Sequence, residues 1–527
     1  MTNVTRFVYN FAANIFSTAL SALLGLISIP FLIYYLGESQ FGLTVLFSSL
    51  FGIAALAESG FNSAIIRKLS ICAAGGDSEG FNKVFSYSMN IGMLASLVLT
   101  LLSALYAEEI LCVFQKIPED ILPLARRAMW ICILNSSITA FILPAILALF
   151  STKHRFDIIA VVRSSIISLQ VVVWYIVLSR TDFGFIGWAF SSLAVTVAVS
   201  LLALLYGIGI TEKLRYVPVF WDKSFFGEIV VVASKLSFIK ISAFSMTYAN
   251  PILFSMYGSM LMNTVFQTAS KGTMLLYMVM INVSSQMLPH LAKDFVRSDT
   301  GHMASVYLSV SRIIFSLSVS VVALAFANYD YIFYLWLNAS MPDNWLYVAN
   351  VFMCLLVIQA LLSPGDFQRS VLTVINKINE SSIFYFVQTV TVICAVILLL
   401  KYTDLGVYSV VAVHLPVSIA ALFFFLMLIK KYLSLSVLAQ FRDIFLRGFI
   451  LGALAVAVFV ALRKVVDFFS LSAIPALAVN LSLDILIMLP ALWRVGFSKS
   501  DRDRILSISI VRRLLGASSG SNSGRNG

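Results

Sequence analysis

Six basic residues lie inside long apolar runs of this 527-residue sequence: Arg163, Lys235, Lys240, Lys271, Arg312 and Arg369. Only Glu58, Asp366 and Asp484 carry negative charge at comparable depth. A charge at the centre of a membrane helix costs about 2.5–3.5 kcal/mol on insertion scales. Such residues must therefore face water, pair, or reach the interface. Lys271 is the best candidate for facing water. It lies too deep in its run to snorkel easily, and it ends a stripe of Asn263, Gln267 and Lys271 at i+4 spacing. Asn282 and Gln286 continue near the same face. Amides and an ammonium along one membrane helix line either water or a partner helix; the competing reading is a packed polar seam.

The other charges divide. Lys235 lies about two turns from the end of its run, and Lys240 is deeper but about 140° around the helix from it. Arg163 and Arg312 sit roughly 12–15 Å in at 1.5 Å per residue, where a long stem can still snorkel. Asp366 and Arg369 are i, i+3 neighbours after Pro364-Gly365 and can neutralise each other. Glu58 shares a helix face with Thr44, Ser48, Ala55 and Asn62, where it either carries a proton or pairs with a cavity lysine. The excess is cationic. An enclosed cationic cavity attracts an anion, and pyrophosphate is a chemical match.

The elements that must position these residues are membrane spans. The chain is 60% hydrophobic and 12% charged, with a mean hydropathy of +0.95; soluble domains carry about 25% charged residues. The apolar runs predict an all-α polytopic membrane protein with about fourteen spans, near residues 11–36, 41–66, 82–106, 122–150, 156–179, 184–210, 228–257, 262–289, 303–327, 344–372, 381–400, 406–430, 443–462 and 472–494. The first reads as a retained span rather than a removed signal. Placing the N-terminus in the cytoplasm puts about 23 Lys and Arg on that side and about 7 outside, which fits the positive-inside bias with both termini cytoplasmic. The net charge of +11 therefore reflects short basic loops and not nucleic-acid binding. Five scattered Cys and four scattered His signal neither a disulfide frame nor a metal site. The Ser/Gly/Asn-rich end, from Gly516, reads as disordered.

An internal repeat organises the spans. Pro30-x6-Gly37 returns as Pro251-x6-Gly258, Pro144 as Pro364, and Thr181-Asp182-Phe183-Gly184 as Thr403-Asp404-Leu405-Gly406, all at offsets of 220–222. Six spans is an even number, so both copies enter the membrane in the same direction. That predicts two six-helix lobes related by a pseudo-two-fold axis along the membrane normal. The divisions are an N-terminal lobe at 1–210, a cytoplasmic linker at 211–227, a C-terminal lobe at 228–430, two additional transmembrane helices at 431–495, and a cytoplasmic tail at 496–527. The repeat places Lys235 on Asn14 and Ser242 on Ser21. Span one carries its own polar stripe of Asn10, Asn14, Ser17, Ser21, Gly25 and Ser28, so equivalent faces of spans one and seven are both polar. Two lobes rocking about a central cavity is an alternating-access plan. No Walker A loop, nucleophile motif or paired-carboxylate site occurs, and no outer loop exceeds about 16 residues, so an enzyme is not expected. No cofactor is expected.

Asn14, Ser21, Ile29-Pro30-Phe31-Leu32-Ile33-Tyr34-Tyr35-Leu36-Gly37, Phe41-Gly42-Leu43 and Glu58-Ser59-Gly60-Phe61-Asn62 together resemble the polysaccharide (O-antigen) flippases of the multidrug/oligosaccharidyl-lipid/polysaccharide exporter superfamily. The resemblance is most specific over about the first 70 residues and looser in the second lobe. It implies a V-shaped central cavity lined by spans one, two, seven and eight. It also implies movement of an undecaprenyl-pyrophosphate-linked oligosaccharide from the cytoplasmic to the periplasmic leaflet of the bacterial inner membrane, with a polysaccharide polymerase and a chain-length protein as partners. From the intramembrane charges and polar stripes, Lys235, Lys271, Lys240, Arg163 and Arg312 are expected to meet the substrate, and Asn14, Ser21, Glu58, Asn62, Asn263 and Gln267 to line the cavity. One departure stands: those flippases usually have twelve spans, whereas fourteen is the number in lipid II flippases of the same superfamily. A lipid II flippase and a drug or cation antiporter are therefore the alternatives. An exporter of cations would favour membrane carboxylates over the lysines and arginines found here.

Overall fold

The computed structural model describes residues 3–211, 214–217, 227, 248–297, 300–469, 472–499 and 501–502. No strand occurs among them. Among the described residues eleven helices are long and apolar enough to cross a membrane, and the chain is a polytopic α-helical membrane protein. In order the elements are α1 (Asn3–Ala74), α2 (Ser78–Leu105), α3 (Leu122–Thr152), α4 (Phe156–Arg180), α5 (Gly184–Ile210), α6 (Asn250–Tyr257), α7 (Met260–Val296), α8 (Thr300–Leu337), α9 (Trp345–Val374), α10 (Ile378–Tyr402), α11 (Tyr408–Leu433), α12 (Val437–Phe468) and α13 (Ala473–Gly496). The seventh predicted span lies mostly outside the described residues, as does the chain end expected to be disordered.

α1 contains the first two predicted spans. They are divided at Gly37, whose φ of 77° and ψ of 163° are open to glycine and strained for other residues. Several helices bury small polar residues while leaving large apolar side chains exposed. α2 buries Ser86, Ser88, Ser96 and Ser103 while exposing Leu94, Leu97, Leu101 and Leu105. α5 buries Ser191, Ser192, Thr196 and Ser200 while exposing Leu201, Leu202 and Leu205. Water would penalise such faces; lipid does not, and small inward residues let helices approach closely.

The repeat is visible in the backbone. His154 and Asn376 both take left-handed φ, 55° and 58°, and so do Gly184 and Gly406, at 49° and 57°; each pair is 222 residues apart. Arg155 N donates to Phe150 O at 2.9 Å, and Lys377 N donates to Leu372 O at 2.8 Å. The Thr181 and Thr403 hydroxyls donate to the carbonyls of Val177 and Leu399, both at 2.7 Å. The turns after α3 and α9 and those before α5 and α11 thus recur in the two copies, whereas Gly37 and Gly258 differ, with φ of 77° and −110°.

Proline leaves a helical carbonyl without its usual N–H partner four residues on. The structure satisfies two of these by different means. Leu26 O, orphaned by Pro30, accepts from Trp336 Nε1 at 3.2 Å. Ala360 O, orphaned by Pro364, accepts from the neighbouring Ser363 hydroxyl at 2.8 Å.

Contacts divide the chain into two compact units. The first comprises Met1–Gly272, Trp336–Val351 and Ser382–Val413; the second comprises Thr273–Leu335, Phe352–Ser381 and His414–Gly527. The units interleave along the sequence, so they do not follow the boundaries of the two repeat copies. In the first, Ile65, Leu69, Phe85 and Leu149 form one core and Ile146, Phe150, Val195 and Val199 another. In the second, Tyr307, Phe315, Phe367 and Phe445 anchor the largest core. There α12 approaches α8 through Gly448 and Gly452. A Cβ on either would sit 2.5 Å from the Phe315 ring or 2.4 Å from Val319, a small-xxx-small contact of the kind membrane helices use.

Candidate functional site

The turn after Gly37 meets helices of the second copy within the first unit. Glu38 O accepts from the Thr264 hydroxyl at 2.6 Å. The Glu38 carboxylate accepts from Asn344 Nδ2 at 3.1 and 3.0 Å. Asn263 Nδ2 donates to Ser255 Oγ at 2.7 Å and lies 3.5 Å from Gly42 O. Gly42 is required by proximity, because a Cβ there would lie 2.2 Å from Met260 O. This seam joins α1, α6, α7 and the start of α9. Asn344 and Glu38 had no signal in the sequence beyond lying at span ends. Asn263 is fully buried in the seam, so this end of the α7 polar stripe is packed.

The other end of the stripe differs. Lys271 lies two turns beyond Asn263, about 12 Å along the helix. It is half-buried, and no described residue gives it a hydrogen bond or a counter-ion. Gln267, one turn earlier, is likewise half-buried. Arg163 of α4 is exposed and without an ion pair among the described residues. It lies one turn past Ala160, whose carbonyl accepts from the Ser17 hydroxyl at 2.8 Å. The structure therefore sets α4 near Arg163 along the polar face of α1 that carries Ser17 and Ser21. Asn62 is half-buried, and its Oδ1 is buried with no partner among the described residues. Asn14 and Glu58 lie in α1, but their side chains are outside the described residues, and Lys235 and Lys240 lie outside them altogether.

Arg312 is placed differently from Lys271. It is buried in the second unit, with Nη1 2.7 Å from Asp501 Oδ2 and Nε donating to Asp443 O at 2.6 Å. Ser309 also donates to Asp501, and Ser498 N donates to it at 2.8 Å. Burial works against ionisation of Asp501, but the hydroxyls of Ser309 and Ser498, the Ser498 amide and the Arg312 charge together hold its carboxyl below the usual range. Asp366 and Arg369 pair at 3.3 Å. Asp484 accepts from Asn328 at 2.7 Å.

No family model matches the chain, and no curated protein matches it in sequence. Solved structures do match. An inward-facing multidrug resistance MATE family transporter of the MOP superfamily is 18% identical, with 79% of this chain and 95% of that one covered at a TM-score of 0.68. The lipid II flippase MurJ, inward closed, is 16% identical, with 91% and 99% covered at 0.71. An outward-facing MATE family transporter of the MOP superfamily is 16% identical, with 81% and 95% covered at 0.57. The chain has the fold of these transporters. The left-handed turns that recur 222 residues apart are what an internal repeat of one helical unit predicts.

Proposed function

We propose that the chain flips an undecaprenyl-pyrophosphate-linked oligosaccharide, an O-antigen or other surface polysaccharide repeat unit, from the cytoplasmic to the periplasmic leaflet of a bacterial inner membrane. The carrying observation is Lys271: a half-buried lysine within a membrane helix that no described residue neutralises. A headgroup with two or more negative charges must cross about 30 Å of hydrocarbon, and lipid offers it no counter-charge. Fixed ammonium groups lower that barrier, provided binding is weak enough to release. Lysine suits this as a mobile point charge, where a guanidinium fork would grip phosphate more rigidly. In this reading Lys235, Lys240 and Arg163 add to the same potential, and the copies at 1–210 and 228–430 rock about the cavity to give alternating access. The helices at 431–495 lie outside the two copies. The Glu38–Asn344 seam closes the end that the charge bias assigns to the periplasm.

A lipid II flippase is the second reading, supported by the fit to MurJ over 91% of the chain. Both substrates carry pyrophosphate, so Lys271 serves either. A drug or cation antiporter is the third reading, and an unneutralised lysine argues against cationic cargo. Deletion of the gene, with analysis of the lipid-linked glycan that accumulates on the cytoplasmic leaflet, separates them. A polymer repeat unit with viable cells supports the first reading. Lethality with lipid II accumulation supports the second. Loss of drug tolerance with no glycan accumulation overturns both.

A further inference from the structure

A short segment after α5, residues 214–217, lies against α2. Arg215 N donates to Asn82 Oδ1 at 3.1 Å, and Val217 N donates to Ser86 Oγ at 2.9 Å. The Tyr216 hydroxyl donates to Asn90 Oδ1 at 2.7 Å. Asn82, Ser86 and Asn90 recur every fourth residue, so they share one face of α2. Two residues of extended chain advance about 6.6 Å, and one turn of helix advances about 6.0 Å. Alternate backbone N–H groups of the segment therefore meet successive turns of α2. Leu214 packs beside Ile65, Leu69 and Phe85 at its base.

The second copy holds the corresponding segment differently. At the repeat offset of 221, Ser86 falls on Tyr307 of α8, and Val217 falls on Leu438, two residues before Gln440 of α12. The Tyr307 hydroxyl donates to Gln440 Oε1 at 3.0 Å and accepts from Gln368 Nε2 at 2.8 Å. Gln440 Nε2 donates to Leu426 O and Leu435 O, both at 3.0 Å. Tyr307, Gln368 and Gln440 are all fully buried. Parting them would leave polar groups unsatisfied where water does not reach, at the full cost of their desolvation. The contact on α2 has the opposite character. Arg215 is exposed, Tyr216 is 59% exposed and Val217 is half-buried. Its donors are backbone N–H groups and a phenol that water solvates as soon as the segment lifts, so little is lost on parting.

We propose that residues 214–217 form a releasable strap, which leaves α2 and returns to it in each transport cycle while the Tyr307–Gln440 joint of the second copy stays closed. The inference rests on the transport reading but not on its cargo. Residues 211–227 connect the two copies, so the strap controls how much of that connection is free. Pinned to α2, it holds the chain after α5 to one path. Released, four extended residues add up to about 14 Å of reach, and the Asn82–Ser86–Asn90 face is opened to water. The copies thus differ in one joint: a polar, exposed one in the first that can part, and a buried one in the second that cannot part cheaply.

Two measurements on the full-length protein test the strap. Hydrogen exchange of the unaltered protein in nanodiscs, read at residue resolution by mass spectrometry, is the first. The amides of Arg215 and Val217 are expected to exchange at least a hundredfold faster than the amide of Gln440, which donates to Ser436 O at 3.0 Å. Equal protection at the two places overturns the proposal, and no variant has to fold. The second is a lock. Ser86→Cys with Val217→Cys puts one thiol in place of the Oγ that meets Val217 N. Oxidation of cells with copper phenanthroline is expected to lower export at least tenfold, and dithiothreitol to restore it, while neither single variant responds. Unchanged export by protein whose linked peptides are found by mass spectrometry overturns the proposal. The two readings fail separately. If deletion accumulates a lipid-linked glycan but the locked protein exports normally, the strap is wrong and the flippase stands. If the strap amides exchange as expected but deletion accumulates no glycan, the flippase reading is wrong and the strap stands.

Discussion

The two compact units treat charge inside the membrane differently. In the second unit the deep charges Arg312, Arg369, Asp366 and Asp484 all have partners among the described residues, and two ion pairs nearer the helix ends, those of Arg463 and Lys431, add to them. Arg312 is tied to Asp501, Arg463 to Asp330 at 2.5 and 2.7 Å, Arg369 to Asp366 and Lys431 to Glu380 at 3.1 Å, while Asp484 is held by Asn328. Several of these ties link the last two helices and the start of the tail to α8. In the first unit Lys271 and Arg163 have none among the described residues. A paired ion can hold helices together but offers little to a passing headgroup. An unpaired one contributes nothing to packing that would repay its desolvation, and it keeps its full field for a ligand. The same residue types therefore mark an assembly site in one unit and a candidate transport site in the other.

That contrast breaks first if Lys271 behaves like Arg312. Lys271→Glu is expected to abolish export at normal membrane abundance, Lys271→Ala to reduce it at least tenfold, and Lys271→Arg to retain part of it. Complementation of a deletion strain, with immunoblots of membranes, is the measurement. Normal export by the Glu variant would remove Lys271 from the substrate path. Parallel loss of export and abundance in the Ala variant would make it a packing residue instead.

Arg312→Ala is expected to do the opposite and lower abundance and thermal stability. Removing one partner of a buried pair leaves the other uncompensated, at a cost of about 3–5 kcal/mol. The double variant Arg312→Met with Asp501→Leu is expected to recover most of that loss. If the double variant is no better than the single one, the pair is not the unit of stability.

A smaller effect follows from Asp501 itself. Its folded-state carboxyl titrates below the unfolded value of about 3.9, so its ionised form contributes stability above that value. The contribution is lost as pH falls through the folded value. Melting of the unaltered protein is expected to fall on acidification below about pH 4 more steeply than melting of Asp501→Asn. Parallel curves would show that Asp501 gives no linkage. Smallest of the four, Arg163→Gln is expected to slow export two- to fivefold without changing abundance, because an exposed charge adds long-range field and makes no fixed contact. A tenfold or greater loss would move Arg163 into direct contact with substrate.

The sequence was most informative where a local rule forces the geometry. Gly37 between two apolar runs announced the break in α1, because only glycine takes that φ and ψ cheaply. The Thr-Asp-x-Gly motifs announced the repeat, and both glycines are indeed left-handed. What was not legible depends on residues far along the chain. Asp501 was one charge in a basic tail, yet it reaches Arg312 across 189 positions. Asn263 looked identical in kind to Gln267 and Lys271, but its burial comes from α1, 221 positions away. Periodicity identifies a polar face without saying what covers each turn of it.

The seam holds one further consequence. Asn263 and Gly42 are 221 residues apart, the same offset that relates Pro251 to Pro30, so they are counterparts in the two copies. A two-fold rotation carries each onto the other's place. Points that exchange places under a rotation can touch only beside its axis, so under the two-lobe reading this contact would lie beside the pseudo-symmetry axis. Motion in a rocking body grows with distance from the fulcrum. A fulcrum at Gly42 and Asn263 would let their contact survive the full swing, while the Glu38–Asn344 hydrogen bonds, made by residues that are not counterparts, would open and close with each cycle.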